Sequence, residues 1–183
     1  MLPPSQLLKL ANTTNRAIVT SPPQLTERQP MINILFVCHG NICRSPMAEF
    51  VMKERVRKAG LEGAVYVESA AMHRDELGSD THYGTKGVLD RYGVPYEPRA
   101  ARLATKEDYE RFDYLIGMDA YNMRDMRRLF KNDPEGKLSL LLDWTGANRD
   151  VADPWYTGDF EVTFNDVDAG CIALLEHLKR TLA

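Results

Sequence analysis

Two patterns of hydrophobic residues alternate along this chain of 183 residues. Short apolar runs bounded by turn-forming residues are typical of buried strands, and four of them predict strands at residues 32–37, 65–68, 114–118 and 138–142. Between these runs, helical spacing or helix-end residues indicate helices. The predicted helices are residues 46–59, 81–92, a short one opening at 105–108, one that runs from 119 through 130, and 160–182.

Residues that favour helix ends set several of these boundaries. Ser45 and Pro46 fit the N-cap and the first position of the helix after the first strand, and Gly60 lies just past its end. Gly93 closes the next helix in the same way. Asp119 fits a plain helix cap after the third strand.

Strands that alternate with helices along a chain predict a parallel sheet covered on both faces. The expected fold class is α/β: a single three-layer domain with a four-stranded parallel sheet and helices on both faces. Ligands of such sheets bind beyond the carboxyl ends of the strands. The segment that follows the first strand is therefore the first candidate for a site.

The first 30 residues differ in composition from the rest of the chain. They hold five of the ten prolines, three basic residues and one acidic residue, without a sustained hydrophobic period. We expect residues 1–30 to be an N-terminal extension, disordered or non-native, and residues 31–183 to form the domain. The apolar stretch around Leu7–Leu10 is short and interrupted by Lys9, which argues against a secretory signal. A mitochondrial transit peptide is the weaker alternative, because the segment has only two arginines.

Composition narrows the class of protein further. The formal net charge is −3 and 44% of the residues are hydrophobic, as in ordinary globular proteins. A chain this close to neutral is not expected to bind nucleic acid or anionic membranes. Three cysteines are too few for a secreted disulfide scaffold, and no apolar run approaches the roughly 18–20 residues of a membrane span. The expected location is the cytoplasm.

Residues 37–46, with the sequence VCHGNICRSP, form the segment after the first strand. The segment leads into a helix N-terminus, where unpaired backbone N–H groups and the helix dipole favour an anion, usually phosphate. Gly40 and Asn41 tolerate the left-handed backbone that a tight anion-binding loop requires. The sequence therefore predicts a phosphate-binding loop after the first strand.

Three side chains of this loop have the chemistry of nucleophilic catalysis. Cys38 lies at the start of the loop, and the positive field there is expected to keep it as a thiolate at neutral pH. Arg44 can hold two phosphate oxygens at once with its planar guanidinium. Ser45 can donate a hydrogen bond to the thiolate or to the departing sulfur.

The ten-residue segment resembles the phosphate-binding loop of the low-molecular-weight protein tyrosine phosphatases. The resemblance covers residues 32–181 and includes Asp153-Pro154-Trp155-Tyr156, about 115 residues after the loop. It implies a phosphotyrosine phosphatase that forms a phosphocysteine intermediate on Cys38. Arg44 would hold the phosphate oxygens, and Asp153 would protonate the leaving phenolate and later accept a proton from water. The resemblance implies neither a metal nor another cofactor.

The residues expected to bind substrate are the remaining loop residues, which surround the phosphate, and two aromatic residues beside the phenyl ring. They are His39, Gly40, Asn41, Ile42, Cys43, Ser45, Trp155 and Tyr156. The imidazole of His39 is expected to face solvent. The expected partners are tyrosine-phosphorylated proteins and a cognate tyrosine kinase, and the expected oligomeric state is a monomer or a weak dimer.

The cysteines other than the nucleophile have competing interpretations, and so does the cluster of Cys38, His39 and Cys43. Cys43 is either a small buried residue or, as the resemblance implies, a partner that forms a reversible disulfide with oxidised Cys38. Cys171 is expected in the core, on the apolar face of the last helix. A zinc site of Cys38, His39 and Cys43 is not expected, because their spacing matches no standard zinc pattern.

The chain departs from the family pattern at two places. A histidine that steadies the loop asparagine in many members is replaced here by Arg99 or a close neighbour, so the surroundings of Asn41 and Ser45 are expected to be held differently. In the loop after the second strand, Asp75 and Glu76 stand where many members carry an aromatic residue. This second departure leaves the preferred peptide sequence open.

Four other functions compete with tyrosine phosphatase activity. An arsenate reductase of similar fold needs a relay of thiols, but no cysteine lies between Arg44 and Cys171. A sugar-phosphotransferase carrier usually lacks the arginine, and a silent phosphotyrosine-binding module would not need the catalytic residues that are present. Relatives that dephosphorylate arginine carry Thr where this chain has Ile42, so this position favours a tyrosine substrate.

Overall fold

Four parallel strands form one sheet in the computed structural model of this protein, which describes residues 31–183. The strands are β1 (Ile32–Cys38), β2 (Val65–Ala71), β3 (Tyr114–Gly117) and β4 (Leu138–Leu140), in the order β2-β1-β3-β4. All neighbouring strands are parallel, so the predicted fold class is confirmed. The predicted N-terminal extension, residues 1–30, lies outside the described residues.

Helices cover both faces of the sheet. The helices are α1 (Arg44–Lys58), α2 (Tyr83–Arg91), α3 (Asp108–Arg111), α4 (Ala120–Leu129), α5 (Pro154–Thr157) and α6 (Phe160–Leu182), with a 3-10 helix at Leu141–Thr145. One core cluster joins the sheet to α1 and α6, and a second joins its other face to α3 and α4. Among the helices of residues 31–183, none is long and apolar enough to cross a membrane.

Strand β1 is a central strand of the sheet, and burial on both of its faces accounts for its continuous apolar run. Successive side chains of a strand point to opposite faces. Ile34 and Phe36 therefore enter the cluster with α1 and α6, while Leu35 and Val37 enter the other cluster. All four are fully buried, which fixes the end of β1, where the candidate loop begins.

Helix α1 begins two residues earlier than predicted. It starts at Arg44 with Cys43 at the N-cap, whereas Ser45 was expected to be the cap. Ser45 does not cap the helix because its hydroxyl is engaged elsewhere, 3.0 Å from the Cys38 sulfur and 2.9 Å from the Asn41 amide nitrogen. The predicted cap is therefore wrong, and the same hydroxyl belongs to the candidate site.

Helix α2 begins at Tyr83, two residues after its predicted start. His82 occupies the N-cap, where its Nδ1 accepts a hydrogen bond of 3.1 Å from the backbone N–H of Gly84. Histidine is not among the residues that signal a helix start in a sequence, so the boundary was misplaced. The predicted end of the helix is confirmed, since Gly93 follows it with a left-handed φ of 64°.

The remaining boundaries differ by small shifts. Strand β2 continues beyond residue 68 to Ala71, because these residues pair with the end of β1. The last apolar run forms a strand only to Leu140 and then turns into the 3-10 helix. Residues 153–156, predicted as a loop, form the N-cap and the first three residues of the short helix α5. The predicted bounds of α6 and the buried position of Cys171 are confirmed.

Candidate active site

The loop of residues 38–45 turns tightly from the end of β1 into α1. Asn41 has a φ of 59°, which is the left-handed conformation that the sequence predicted. The N-terminus of α1, at Arg44, supplies unpaired backbone N–H groups and the positive end of the helix dipole. The thiol of Cys38, only 3% exposed, lies at the start of this loop.

A chain of hydrogen bonds runs from the Cys38 sulfur into the core. The Asn41 amide nitrogen donates to Ser45 Oγ (2.9 Å) and to Ser69 Oγ (2.8 Å). Ser69 in turn donates to the Glu49 carboxylate over 2.6 Å. Since Ser45 Oγ already accepts from Asn41, its own proton is free to point at the Cys38 sulfur, 3.0 Å away. The chain therefore allows Ser45 to donate its O–H to a thiolate at Cys38.

Arg99 holds the loop asparagine from behind, at the position where the sequence predicted a different support. Its Nη2 donates to Asn41 Oδ1 over 2.8 Å, and its Nη1 lies 3.3 Å from the Asn41 carbonyl oxygen. The backbone N–H of Arg102 also reaches Asn41 Oδ1, at 3.3 Å. These donors fix which end of the amide carries the NH2 group. Arg99 and Lys53 also lie 3.7 and 2.5 Å from the buried Glu49 carboxylate.

Two carboxylates hold the guanidinium of Arg44, which is 3% exposed. Nη1 lies 2.5 Å from Asp119 Oδ2, and Nη2 lies 2.5 Å from Asp153 Oδ2. Burial would lower the pKa of Arg44, but the negative charges of Cys38, Asp119 and Asp153 outweigh burial and raise it. Arg44 is therefore a fixed positive charge beside the Cys38 sulfur.

Asp119 has two roles, of which the sequence predicted one. Its Oδ1 accepts the backbone N–H of Asn122 over 2.7 Å, so it caps α4 as expected. Its other oxygen orients Arg44, which was not predicted because the two residues are 75 positions apart. The cap fixes the carboxylate, and the carboxylate fixes the guanidinium.

Asp153 contacts Arg44 from a separate segment, which backbone and helix-cap hydrogen bonds hold in place. The backbone N–H of Val151 donates to the carbonyl of Met118, just after β3, over 2.9 Å. Asp153 then caps α5, where its Oδ1 accepts from the backbone N–H of Trp155 over 3.0 Å. One oxygen of Asp153 caps the helix while the other faces Arg44 and the loop.

These groups open into a cleft of about 690 Å³. Its walls include nine of the predicted site residues: Cys38, His39, Gly40, Ile42, Cys43, Arg44, Asp153, Trp155 and Tyr156. Trp155 and Tyr156 are 68% and 85% exposed, so their rings are available to a ligand. The imidazole of His39 is exposed, as expected. The roles of these residues stay predictions.

Two predicted substrate-binding residues do not reach the cleft wall. Asn41 and Ser45 are completely buried, and their side chains point into the hydrogen-bond chain behind the loop. Conversely, the cleft wall contains several residues that were not predicted to belong to the site: His73, Asp119, Tyr121, Asn122, Arg124 and Asp125. Only the fold brings these residues to the loop.

All three cysteines are free and buried. Burial raises the pKa of Cys43 to about 12, and the negative charges of Cys38 and Asp153 add to this effect. Cys43 is therefore a neutral thiol at physiological pH, unlike a cysteine that ionises easily. Burial also raises the pKa of Cys171 well above its usual range. The reversible disulfide between Cys38 and Cys43 stays a prediction.

Comparison with known sequences assigns the chain to a family. A family model described as low molecular weight phosphotyrosine protein phosphatase matches residues 33–183. The low molecular weight protein-tyrosine-phosphatase YfkJ of Bacillus subtilis is 40% identical over 154 residues, which cover 82% of this chain and 97% of that protein. The corresponding phosphatase PtpA of Staphylococcus epidermidis is 38% identical over 149 residues, or 81% of this chain and 94% of that protein.

Solved structures agree with the sequence relatives. The crystal structure of YfkJ from Bacillus subtilis has a TM-score of 0.81 at 38% identity and covers 84% of this chain and 98% of that one. SP-PTP, a low molecular weight protein tyrosine phosphatase from Streptococcus pyogenes, has a TM-score of 0.73 at 39% identity, covering 81% and 93%. With a matching family model over nearly all described residues, this chain belongs to the low molecular weight protein-tyrosine-phosphatase family.

Proposed function

We propose that this phosphatase hydrolyses phosphotyrosine in proteins with Cys38 as nucleophile, Arg44 as phosphate-binding cation and Asp153 as general acid. The observation that carries the proposal is the meeting of these three residues in one cleft. Arg44 connects the other two, because its buried guanidinium lies beside the Cys38 loop and 2.5 Å from Asp153. The proposed reaction needs no metal, since Arg44 and the loop N–H groups supply the positive charge.

Substrate binding changes the partners of Arg44. The incoming phosphate dianion competes with Asp153 for Nη2 of the guanidinium. Asp119 keeps its hold on Nη1, because it is also fixed as the cap of α4. The Asp153 carboxyl, displaced from Arg44, can then turn towards the leaving-group oxygen. Binding thus places a proton donor near the leaving oxygen.

The covalent step forms a sulfur–phosphorus bond and breaks the phosphorus–phenolate bond. Cys38 attacks as a thiolate, Arg44 and the loop hold the equatorial oxygens, and Asp153 gives its proton to the phenolate oxygen. In the second step water attacks the phosphocysteine, and Asp153 takes a proton from that water. The Ser45 hydroxyl stabilises the sulfur as it leaves, because it is the only O–H directed at it by the described hydrogen-bond chain.

Substrate selection follows from the wall of the cleft. Trp155 and Tyr156 can pack against the phenyl ring, which contributes about 0.5–1.5 kcal/mol beyond burial for an aromatic pair. Ile42, also in the wall, adds an apolar contact that suits tyrosine better than arginine. Phosphoserine is too short to place its own side chain against these rings.

The proposal also specifies the surroundings of the enzyme. Its substrates are tyrosine-phosphorylated proteins, and a tyrosine kinase that produces them is the expected counterpart. A catalytic thiolate must stay reduced, and the three free cysteines suit a reducing compartment such as the cytoplasm. We propose that the enzyme acts as a monomer or a weak dimer, because the exposed aromatic wall must stay open to substrate.

The first prediction concerns the nucleophile and the substrate. The protein should hydrolyse phosphotyrosine peptides without added metal, faster than phosphoarginine or phosphoserine peptides. Cys38→Ser should lower the rate by at least about a thousandfold while inorganic phosphate still binds, because the cation and the loop are unchanged. Phosphate release and calorimetric phosphate binding measure the two effects, with Cys171→Ala as the matched cysteine control. A Cys38→Ser protein that keeps more than about a thousandth of the rate excludes the covalent route.

The second prediction concerns the general acid. Asp153→Ala should slow the hydrolysis of phenyl phosphate about a hundredfold more than that of p-nitrophenyl phosphate, because the poorer leaving group needs the proton. The decline of the wild-type rate towards high pH should also weaken in this variant. Asp119→Asn is the control: asparagine still caps α4, and its effect should be equal for both substrates. Equal effects of Asp153→Ala on both substrates would remove Asp153 from the acid role.

The third prediction concerns Arg99 as a positioning residue for the loop. Arg99→Met removes charge-assisted hydrogen bonds to Asn41, whose loss typically costs about 1.5–3 kcal/mol. The inhibition constant for inorganic phosphate should rise about tenfold or more, measured well below the unfolding temperature. Arg180→Met, an exposed change in the last turn of α6, should leave it unaltered. Unchanged phosphate inhibition in Arg99→Met would contradict the positioning role.

A further inference from the structure

Two histidines and two carboxylates meet at the rim of the cleft, and the proposed reaction uses none of these side chains. His39 Nε2 lies 2.8 Å from Asp75 Oδ2, and His73 Nε2 lies 3.0 Å from Asp125 Oδ2. The two imidazole rings stack, with centroids 4.2 Å apart and 14° between their planes. One donor atom from each of His39, His73 and Asp75 lies within 4.8 Å of the others.

The backbone holds the two histidines together. Strands β1 and β2 are paired to their ends, where Cys38 lies opposite Ala71. The pairing then continues into the loops, because the backbone N–H of His73 donates to the carbonyl of His39 over 3.0 Å. Residues 34 positions apart in sequence are thus fixed side by side. Only side-chain rotations are needed to change what their imidazoles bind.

We propose that His39, His73 and Asp75 form a binding site for a divalent transition-metal cation, with Zn²⁺ as the best fit, at the rim of the cleft. Imidazole nitrogen and carboxylate oxygen are ligands that Zn²⁺ prefers. Ligands about 2.0–2.2 Å from zinc in a tetrahedron lie roughly 3.3 Å from one another, so the present 4.8 Å spread needs a modest contraction. The three side chains are 44–68% exposed, which leaves them free to make it.

Charge at the rim favours a cation. Histidine ligates a metal in its neutral form, so the charge that attracts a cation comes from the carboxylates of Asp75 and Asp125. Arg124 and Arg128 lie 3.2 and 3.6 Å from Asp125 and compensate that carboxylate. Among the described residues, no lysine or arginine lies within salt-bridge distance of Asp75, so no fixed positive charge compensates this carboxylate.

Asp125 has a different role from the three ligands. It is a less exposed carboxylate on α4, and it accepts a hydrogen bond from His73 over 3.0 Å. A cation drawn to the two imidazoles can take Asp125 as its fourth ligand by replacing this hydrogen bond. Otherwise Asp125 orients His73, as carboxylates commonly do for ligating histidines.

A cation at this rim would reduce access to the catalytic loop. His39 adjoins Cys38 in sequence, and all four rim residues line the same cleft as Arg44 and Asp153. A bound Zn²⁺ would therefore compete with the incoming phosphopeptide without touching the reacting atoms. Cation binding stands on the rim geometry alone, whereas this inhibition rests on the proposed function.

Calorimetry on the full chain carrying Cys38→Ser tests the binding, because this variant lacks the catalytic thiolate as a competing zinc ligand. Titration with ZnCl2 should give one Zn²⁺ per chain. Adding His73→Gln or Asp75→Asn should weaken the binding at least about tenfold, while Glu62→Gln, an exposed carboxylate elsewhere, should not. Circular dichroism verifies that each variant is folded. No binding to the Cys38→Ser protein, or equal binding after both rim substitutions, would overturn the site.

Kinetics with the native Cys38 test the inhibition separately. Zn²⁺ should raise KM for a phosphotyrosine peptide more than it lowers kcat, and the zinc concentration for half-inhibition should rise at least about tenfold in His73→Gln protein. Equal inhibition of native and His73→Gln protein would place the inhibitory zinc on the thiolate and overturn the regulatory part. Failure of the proposed function would show differently, as absent turnover without zinc, and would leave the calorimetric result intact.

Discussion

The proposed mechanism depends above all on one interaction, the attraction between a thiolate at Cys38 and the positive groups around it. Cys38 ends a strand whose last five residues are buried, so it is held beside the N-terminus of α1. Arg44 adds a fixed charge that two carboxylates orient, and Ser45 adds an O–H donor. In the proposed mechanism the phosphate oxygens bind to these same positive groups, which also stabilise the charge that develops during transfer.

The rest of the fold supports this field from behind. A left-handed asparagine is strained, and Asn41 is kept in place by donors and acceptors on every side of its amide. Its support ends at Glu49, a buried carboxylate that would be costly without the nearby charges of Arg99 and Lys53. The conformation of the loop therefore depends on the ion pairs of Arg99 and Lys53 that compensate the charge of Glu49.

The sequence predicted what depends on local pattern and missed what depends on contacts across the chain. The sheet, the loop and the triplet of Cys38, Arg44 and Asp153 carry local signals: apolar runs, a glycine-containing turn and an Asp-Pro-aromatic segment. The contact of Asp119 with Arg44 carries no such signal, because a helix cap looks the same with or without it. The misplaced cap at Ser45 has a different origin, since Cys38 and Asn41 of the same loop engage its hydroxyl in place of the helix.

The reactivity of the Cys38 sulfur tests the central claim most directly. Alkylation by iodoacetate, followed by mass spectrometry of the Cys38 peptide, can be measured from pH 5 to 9 with and without inorganic phosphate. We predict that Cys38 reacts at pH 6 nearly as fast as at pH 8.5 and that phosphate slows it, while buried Cys171 stays unmodified. A rate that climbs with pH as that of glutathione does, and that phosphate leaves unchanged, would contradict the account.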